Sequence, residues 1–159
     1  RAGDVDAAVI TFLMEKEGWT PKETDSILNK KSGLLGMTEL SSDVRDIEEA
    51  IDNGNEQARI GLDYYKYTIA QFIAKYAVAM QGIDVITFTA GVGENQYRVR
   101  KGICEYLGYM GIKIDDKRNE VRGEEALISA DDSSIPVYVI PTNEELVIAR
   151  DTLRLVEGK

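Results

Sequence analysis

A run of small residues follows the most strand-like segment of this chain, in the stretch VITFTAGVGENQ at residues 85–96. Glycine tolerates positive φ and lets a ligand approach the backbone closely, so Gly91 and Gly93 predict a ligand-binding turn. The Asn95 side chain can cap the following helix or hydrogen-bond a nucleobase or a sugar. The stretch lacks the Gly-Lys-Ser/Thr of a Walker loop and the spacing of a Rossmann motif. On these residues alone, a simple glycine turn with an asparagine cap is an equally good interpretation.

A second strand-to-helix corner, PTNEEL at residues 141–146, offers a carboxylate. Thr142 and Glu145 have the spacing of a capping box, which predicts a structural role for Glu145. Glu144 has no such partner and lies in the predicted first helical turn, where the helix dipole favours negative charge. Glu144 is therefore either a solvated acid at a helix start or a carboxylate that binds Mg²⁺ or takes part in catalysis.

A third candidate lies in SSDVRDI, where Asp43 and Arg45 flank Val44 at a predicted helix start. An N-cap with a surface ion pair, usually worth under ~1 kcal/mol, is the structural interpretation. In the functional interpretation, Asp43 and Arg45 contact the phosphate and the ribose or base of a nucleotide.

The elements that must position these residues follow from hydrophobic periodicity and capping signals. The predicted helices are 4–17, 20–33 (capped by Thr20, Pro21 and Glu23), 41–54, 55–81, 95–107 and 142–156. The predicted extended segments are 84–89, 111–115, a hairpin-like 117–123, 125–129 and 136–141. The alternation of strands and helices in the second half predicts an α/β layer on a partly parallel sheet, and ligands bind such sheets beyond the carboxyl ends of the strands.

Composition limits the function classes. The 159 residues carry 28 acidic and 19 basic side chains, a net charge of −9, which argues against a nucleic-acid surface. One cysteine and no histidine exclude an intrachain disulfide and a Cys or His zinc site, and indicate a reduced, cytoplasmic setting. No segment has the length and apolarity of a membrane span. Because the chain begins with Arg1, we expect it to be part of a longer protein.

Five motifs together resemble the acetate kinase family, and they occur in the family's order along almost the whole chain. They are RAGDVDAAVITFLM, LNKKSGLLG, SSDVRDI, FTAGVGEN and IPTNEELVIARDT. The resemblance implies an actin-like ATPase domain of the acetate and sugar kinase, heat-shock chaperone and actin superfamily, with a mixed sheet flanked by helices. It also implies that residues 1–159 are the C-terminal, nucleotide-binding domain and that an N-terminal domain is missing.

The implied reaction is reversible phosphoryl transfer between ATP and acetate, giving ADP and acetyl phosphate, with Mg²⁺ as cofactor. Arg1 matches an arginine that binds substrate phosphate and stabilises the transition state, and Glu144 matches a carboxylate associated with Mg²⁺ and catalysis. The remaining matches are nucleotide contacts, Asp43 and Arg45, and the adenosine-binding loop, Gly91, Val92, Gly93 and Asn95. Most of the acetate pocket is expected in the missing domain.

Three alternatives stay open at this point. The first is a propionate or butyrate kinase, since the nucleotide half hardly distinguishes acyl chains. The second is an inert dimerisation fragment, because the family pairs through its C-terminal domain and the Tyr-rich helix 55–81 offers an apolar stripe. The third, a chaperone-like ATPase of the same superfamily, would not carry SSDVRDI and PTNEEL together. The resemblance to acetate kinases also implies a homodimer.

Overall fold

The computed structural model of the chain describes residues 1–158, which form two compact units, Arg1–Ile69 and a second unit that begins at Ala70. Helices of the first unit alternate with short loops. They are α1 (Ala7–Glu17), α2 (Pro21–Ser26), α3 (Gly33–Thr38), α4 (Val44–Asp52) and the start of α5 (Glu56–Met80). The second unit holds the rest of α5 and the elements that follow it. These are β1 (Ile86–Phe88), α6 (Ala90–Asn95), α7 (Tyr97–Tyr106), β2 (Ala126–Leu127), β3 (Val137–Val139) and α8 (Glu144–Glu157).

Local capping signals fix the helix starts of the first unit. The predicted capping box at Thr20 is confirmed, since its side chain accepts from the Glu23 N–H while the Glu23 carboxylate accepts from the Thr20 N–H. The prediction of one helix from Thr20 to Gly33 is wrong. A π-helical turn, Ile27–Lys31, follows α2, and Gly33 opens α3 with φ +62°. Ser32, extended at φ −96° and ψ −164°, interrupts the helical path between them.

The long helix predicted at 55–81 is confirmed as α5, but its apolar stripe is only partly buried. Ala58 and Leu62 lie in the core of the first unit at 0% and 1% exposure. Tyr76 and Met80 near the helix end are 64% and 63% exposed. The stripe therefore supports the core at one end and presents an apolar surface at the other.

The second unit is built on a three-stranded mixed sheet in the order β1-β3-β2. β1 pairs with β3 in parallel, with Ile86 opposite Val137 and Phe88 opposite Val139, and β2 pairs with β3 antiparallel. The buried strand positions and the buried side of α7 make up most of this core: Ile86, Phe88, Val137 and Val139 from the strands, and Val99, Ile103 and Cys104 from the helix. The expected partly parallel sheet with helices is thus present, within a mostly helical fold.

Several extended segments are shorter than predicted or take another form. Segment 111–115 contributes one bridge, Ile114 to Ser129, and no strand of its own. The hairpin expected at 117–123 is wrong, because residues Arg118–Glu120 form a 3₁₀ turn. The Asp115 carboxylate accepts from the Arg118 N–H at 2.9 Å and its carbonyl accepts from the Asn119 N–H at 2.9 Å, so this side chain starts a helical turn.

Candidate functional site

The carboxyl ends of β1 and β3 lie side by side because the two strands are parallel neighbours. Beyond the last paired residues, Phe88 and Val139, the Ile140 N–H still donates to the Phe88 carbonyl at 2.9 Å. The glycine motif follows the first strand and PTNEEL follows the second. This is the edge at which α/β sheets bind ligands.

The glycine motif forms a short helix in place of the predicted glycine turn. Residues Ala90–Asn95 make the single short helix α6, and the next helix starts at Tyr97. Neither Gly91 nor Gly93 uses the positive φ that glycine tolerates, and the left-handed residue of this corner is Ala90, at φ +59°. The reversal of the chain after β1 is therefore made before the glycines.

The two glycines face different surroundings. A Cβ on Gly93 would lie 3.2 Å from the carbonyl carbon of Phe88, so this glycine allows α6 to pack against the end of β1. A Cβ on Gly91 would meet nothing within 4 Å. The bare backbone at Gly91 is thus not required by packing, and it leaves an open surface that a ligand could approach.

Asn95 ends α6 instead of capping the helix that follows it. Its Nδ2 donates to the Gly91 carbonyl at 3.0 Å, and the residue is exposed. Because the amide nitrogen is bonded to the backbone, the amide is oriented within its own helix. Val92 lies between the glycines and is partly exposed.

A buried arginine that sequence reasoning missed donates hydrogen bonds to the backbone of this motif. Arg100 on α7 is 0% exposed. Its Nη1 donates to the Gly93 and Glu94 carbonyls, both at 2.9 Å, and its Nε donates to Asn119 Oδ1 at 2.9 Å. Nη2 donates to the Asn119 carbonyl and to that of Val121. Burial lowers the pKa of Arg100, but arginine begins so far above neutrality that it stays charged.

The second corner differs from the predicted capping box of Thr142 and Glu145, which is wrong. α8 begins at Glu144, and its N-cap is Asn143, whose side chain accepts from the Leu146 N–H at 2.9 Å. Thr142 turns the other way, and both its N–H and its hydroxyl donate to Glu94 Oε1 at 2.9 Å. These bonds, the Thr142 N–H first, hold the pKa of Glu94 below its usual range. Glu94 therefore ties the two corners together.

Glu144 and Glu145 occupy the first turn of α8 and are both exposed. Among residues 1–158, no group of three or more His, Cys, Asp or Glu side chains could hold a metal ion. Mg²⁺ retains several waters and binds through one or two carboxylates together with substrate phosphates, so a protein cage is not needed. The exposed carboxylates of Glu144 and Glu145 fit Mg²⁺ bound in that way.

Asp43 and Arg45 contact each other in the first unit. The Asp43 carboxylate is the N-cap of α4, accepting from the Arg45 N–H at 2.9 Å, and it pairs with the guanidinium through Nε at 3.1 Å and Nη2 at 2.6 Å. The side-chain bonds to Arg45, with the backbone bond, lower the pKa of Asp43 to about 2. The pair with Asp43 raises the pKa of Arg45. The predicted N-cap and surface ion pair are thus confirmed, and the Arg45 guanidinium is exposed.

Arg1 is exposed in the first unit, and its backbone is held in place. The Ala2 N–H donates to the Leu28 carbonyl at 2.8 Å, and the Arg1 backbone packs so closely on Gly33 that a Cβ there would be 2.5 Å from the Arg1 carbonyl oxygen. Arg1 and Lys31 both line a cavity of about 670 Å³. Its other walls come from residues 2–5, 32–34 and 36–37 and from residues 61–68 of α5. No helix in the described part of the chain is long and apolar enough to cross a membrane.

Comparisons with known proteins agree over almost the whole chain. A model of the acetokinase family matches residues 1–150. The acetate kinase of Fervidobacterium nodosum is 56% identical over 159 residues, which cover 99% of this chain and 39% of the relative. The crystal structure of Porphyromonas gingivalis acetate kinase superposes with a TM-score of 0.90 at 49% identity, covering 98% of this chain and 39% of the other.

A propionate kinase is also similar. The crystal structure of this enzyme from Francisella tularensis subsp. tularensis SCHU S4 matches with a TM-score of 0.86 at 33% identity, covering 94% of this chain and 38% of the other. The chain thus spans about 39% of the length of the relatives it matches. The family match over most of its residues shows that the chain belongs to the acetokinase family.

Proposed function

We propose that this chain is the C-terminal, nucleotide-binding half of an acetate kinase, an actin-like domain that works with an N-terminal domain. The reaction is reversible transfer of a phosphoryl group between ATP and acetate, giving ADP and acetyl phosphate. The observation that carries the proposal is the joined pair of corners after β1 and β3. There the glycine motif and Glu144 follow neighbouring parallel strands, linked through Glu94 and Thr142.

In this proposal, residues of the second unit bind the two parts of the Mg-nucleotide, the adenosine and the metal ion. The open backbone at Gly91, with Val92, Gly93 and Asn95, supports a role in holding the adenosine. Glu144 would hold Mg²⁺, which when bound neutralises charge on the phosphates. Phosphoryl transfer needs positioning and charge neutralisation more than covalent chemistry by the protein, so an exposed carboxylate on a fixed helix start is well suited to it.

The residues of the first unit supply cationic and hydrogen-bonding groups. Arg1 would place its guanidinium on the oxygens of the transferring phosphoryl group, for which a planar fork of N–H donors is suited. Asp43 and Arg45 would contact the nucleotide. For Arg45 this means that its guanidinium exchanges part of its bond to Asp43 for the ligand, which the exposure of the pair permits.

Nucleotide binding and turnover test the proposal at two levels. Titration calorimetry of the chain with Mg-ADP should show binding, which a purely structural module would lack. The full-length protein should form acetyl phosphate from Mg-ATP and acetate in a hydroxylamine trapping assay. The proposal is overturned if the full-length protein binds no adenine nucleotide.

A propionate kinase is the second candidate, and the similarity to the Francisella tularensis propionate kinase favours it. The acyl pocket decides between the two, and the resemblance assigns most of that pocket to the N-terminal domain. Comparing kcat/KM of the full-length protein for acetate, propionate and butyrate separates the candidates directly.

A dimerisation module is a third possibility, supported by the exposed apolar residues of α5. Phe72, Tyr76, Val78 and Met80 are 40%, 64%, 79% and 63% exposed. Several large apolar side chains exposed on one helix often belong to an interface. We propose that the protein forms a homodimer. Light scattering at high protein concentration tests this, and a monomer at that concentration would exclude the homodimer.

A further inference from the structure

One side chain joins the two corners of the candidate site. Glu94 Oε1 accepts two hydrogen bonds, from the Thr142 N–H and from the Thr142 hydroxyl, both at 2.9 Å. Glu94 belongs to the glycine motif, and Thr142 lies two residues before Glu144. The bond therefore spans 48 positions of sequence and connects the residues proposed to hold adenosine with the residue proposed to hold Mg²⁺.

Both ends of this connection are themselves fixed. The Glu94 carbonyl accepts from Arg100 Nη1 at 2.9 Å and from the Gly123 N–H at 3.3 Å, and Arg100 is buried. On the other side, Asn143 caps α8 through the Leu146 N–H. With its backbone held by Arg100, Glu94 has little freedom to follow Thr142, so the bond transmits the position of α6 to the start of α8.

We propose that Glu94 is a positioning residue, which sets the distance between Glu144 and the Gly91–Asn95 motif through its two bonds to Thr142. The inference rests on the proposed function, since it concerns the geometry of that same site. Glu94 itself touches neither nucleotide nor metal in this role. Its effect is on where the Glu144 carboxylate stands when both corners engage one Mg-nucleotide.

The chain contains a matched control. In the first unit, Glu23 Oε2 accepts from the Thr20 N–H at 2.8 Å and from the Thr20 hydroxyl at 2.7 Å. The same two donor groups meet the same acceptor, but the partners are three residues apart and cap a single helix. A pair that only stabilises the fold should behave like Thr20 and Glu23. A pair that positions Glu144 should also change catalysis.

The test compares five variants in the full-length protein: Glu94→Ala, Thr142→Val, Thr142→Ser, Glu23→Ala and Thr20→Val. We expect Glu94→Ala to lower kcat between about 10- and 100-fold, as expected for a small misplacement of a catalytic group. It should also raise the Mg²⁺ concentration needed for half-maximal rate, while KM for acetate stays within about twofold. Thr142→Val should give a smaller loss, since its N–H bond remains, and Thr142→Ser should restore most of the rate.

A readout independent of turnover is hydrogen exchange at the start of α8. Glu94→Ala should reduce amide protection at Thr142 and through the first turn of α8, and Glu23→Ala should leave that segment as in the unmodified protein. Both alanine variants should lower Tm to a similar extent. The control pair should keep kcat near that of the unmodified protein.

The outcomes separate this proposal from the proposed function. If the unmodified protein is active and Glu94→Ala changes kcat, Mg²⁺ dependence and exchange no more than Glu23→Ala does, the positioning role is overturned while the function stands. If the unmodified protein forms no acyl phosphate, the proposed function fails and the positioning role fails with it.

Discussion

At the scale of single residues, Glu144 and Glu145 are neighbouring exposed carboxylates with different proposed roles. Glu145 closes no capping box, since Asn143 caps α8 and Thr142 bonds Glu94. We therefore expect Glu144→Ala in the full-length protein to lower kcat by several orders of magnitude with little change in Tm, because Mg²⁺ would lose its protein carboxylate. Glu145→Ala should change both quantities little.

The stability effect at this corner belongs to Asn143. Asn143→Ala removes the bond to the Leu146 N–H and should cost about 0.5–2 kcal/mol of unfolding free energy, as for other N-caps. Urea unfolding and steady-state kinetics of the three variants give the comparison. A near-normal kcat for Glu144→Ala at saturating Mg-ATP would contradict the assignment.

Asp43 and Arg45 give a prediction about pH. The pKa of Asp43 is lowered from 3.8 to about 2, so the folded state holds the carboxylate charged more strongly than the unfolded chain does. Its contribution to stability is complete above the usual value of 3.8 and is lost as pH falls through about 2. Arg45→Ala should move this pKa back towards 3.8, although the bond from the backbone N–H of position 45 remains.

Carboxyl ¹³C chemical shifts followed from pH 5 to acid measure this change in the pKa of Asp43. Asp132, whose pKa is lowered by its bond to Lys113, is the internal control and should not move. An Asp43 that titrates near 3.8 in both proteins would show that the ion pair is not formed in solution.

At the scale of elements, the two glycines of α6 have different roles. Gly93 allows close packing, and Gly91 is proposed to contact the nucleotide. Gly93→Ala should lower Tm, because the new Cβ would press on the backbone at Phe88, 3.2 Å away. Gly91→Ala meets no protein atom within 4 Å and gains helix propensity of up to about 1 kcal/mol, so Tm should hold or rise. Its affinity for Mg-ADP should fall if the bare backbone receives the nucleotide. Unchanged affinity in Gly91→Ala would remove that residue from the site.

Arg100 gives the second prediction at this scale, because it joins α6, α7 and the turn at Arg118–Glu120. Arg100→Met should cost on the order of 3 kcal/mol or more, since it leaves two buried oxygens of Asn119 and the part-buried carbonyls of Gly93 and Val121 without their donor. Arg150→Met, at an exposed arginine of α8, is the control and should stay within about 0.5 kcal/mol. Equal losses in the two variants would show that the buried bonds contribute little.

These elements also show what the sequence could and could not predict. The box at Thr20 was predictable because its partner is three residues away. The same spacing at Thr142 gave a wrong prediction, because Thr142 donates to Glu94, 48 residues away, and Asn143 is the N-cap of α8. Periodicity predicted most of the helices, and the alternation of strands with helices predicted a partly parallel sheet, but not that β1 and β3 are the parallel pair. The acceptors of Arg100 lie up to 21 residues away, and only its position among the apolar residues of α7 could have drawn notice.

At the scale of the whole molecule, the chain spans about 39% of the length of its relatives, so its own chemistry should be partial. It carries the proposed nucleotide residues, Glu144 and Arg1, whereas the resemblance assigns most of the acetate pocket to the remaining length. Holding two reactants in the reactive geometry can lower a barrier by roughly 7–11 kcal/mol. A chain that lacks most of one substrate pocket cannot hold both reactants in this way. We therefore expect residues 1–159 alone to bind Mg-ADP yet show no measurable acetyl phosphate formation. Calorimetry measures the binding and hydroxylamine trapping measures the turnover, with the full-length protein as positive control. Robust acetyl phosphate formation by the isolated chain would contradict this prediction.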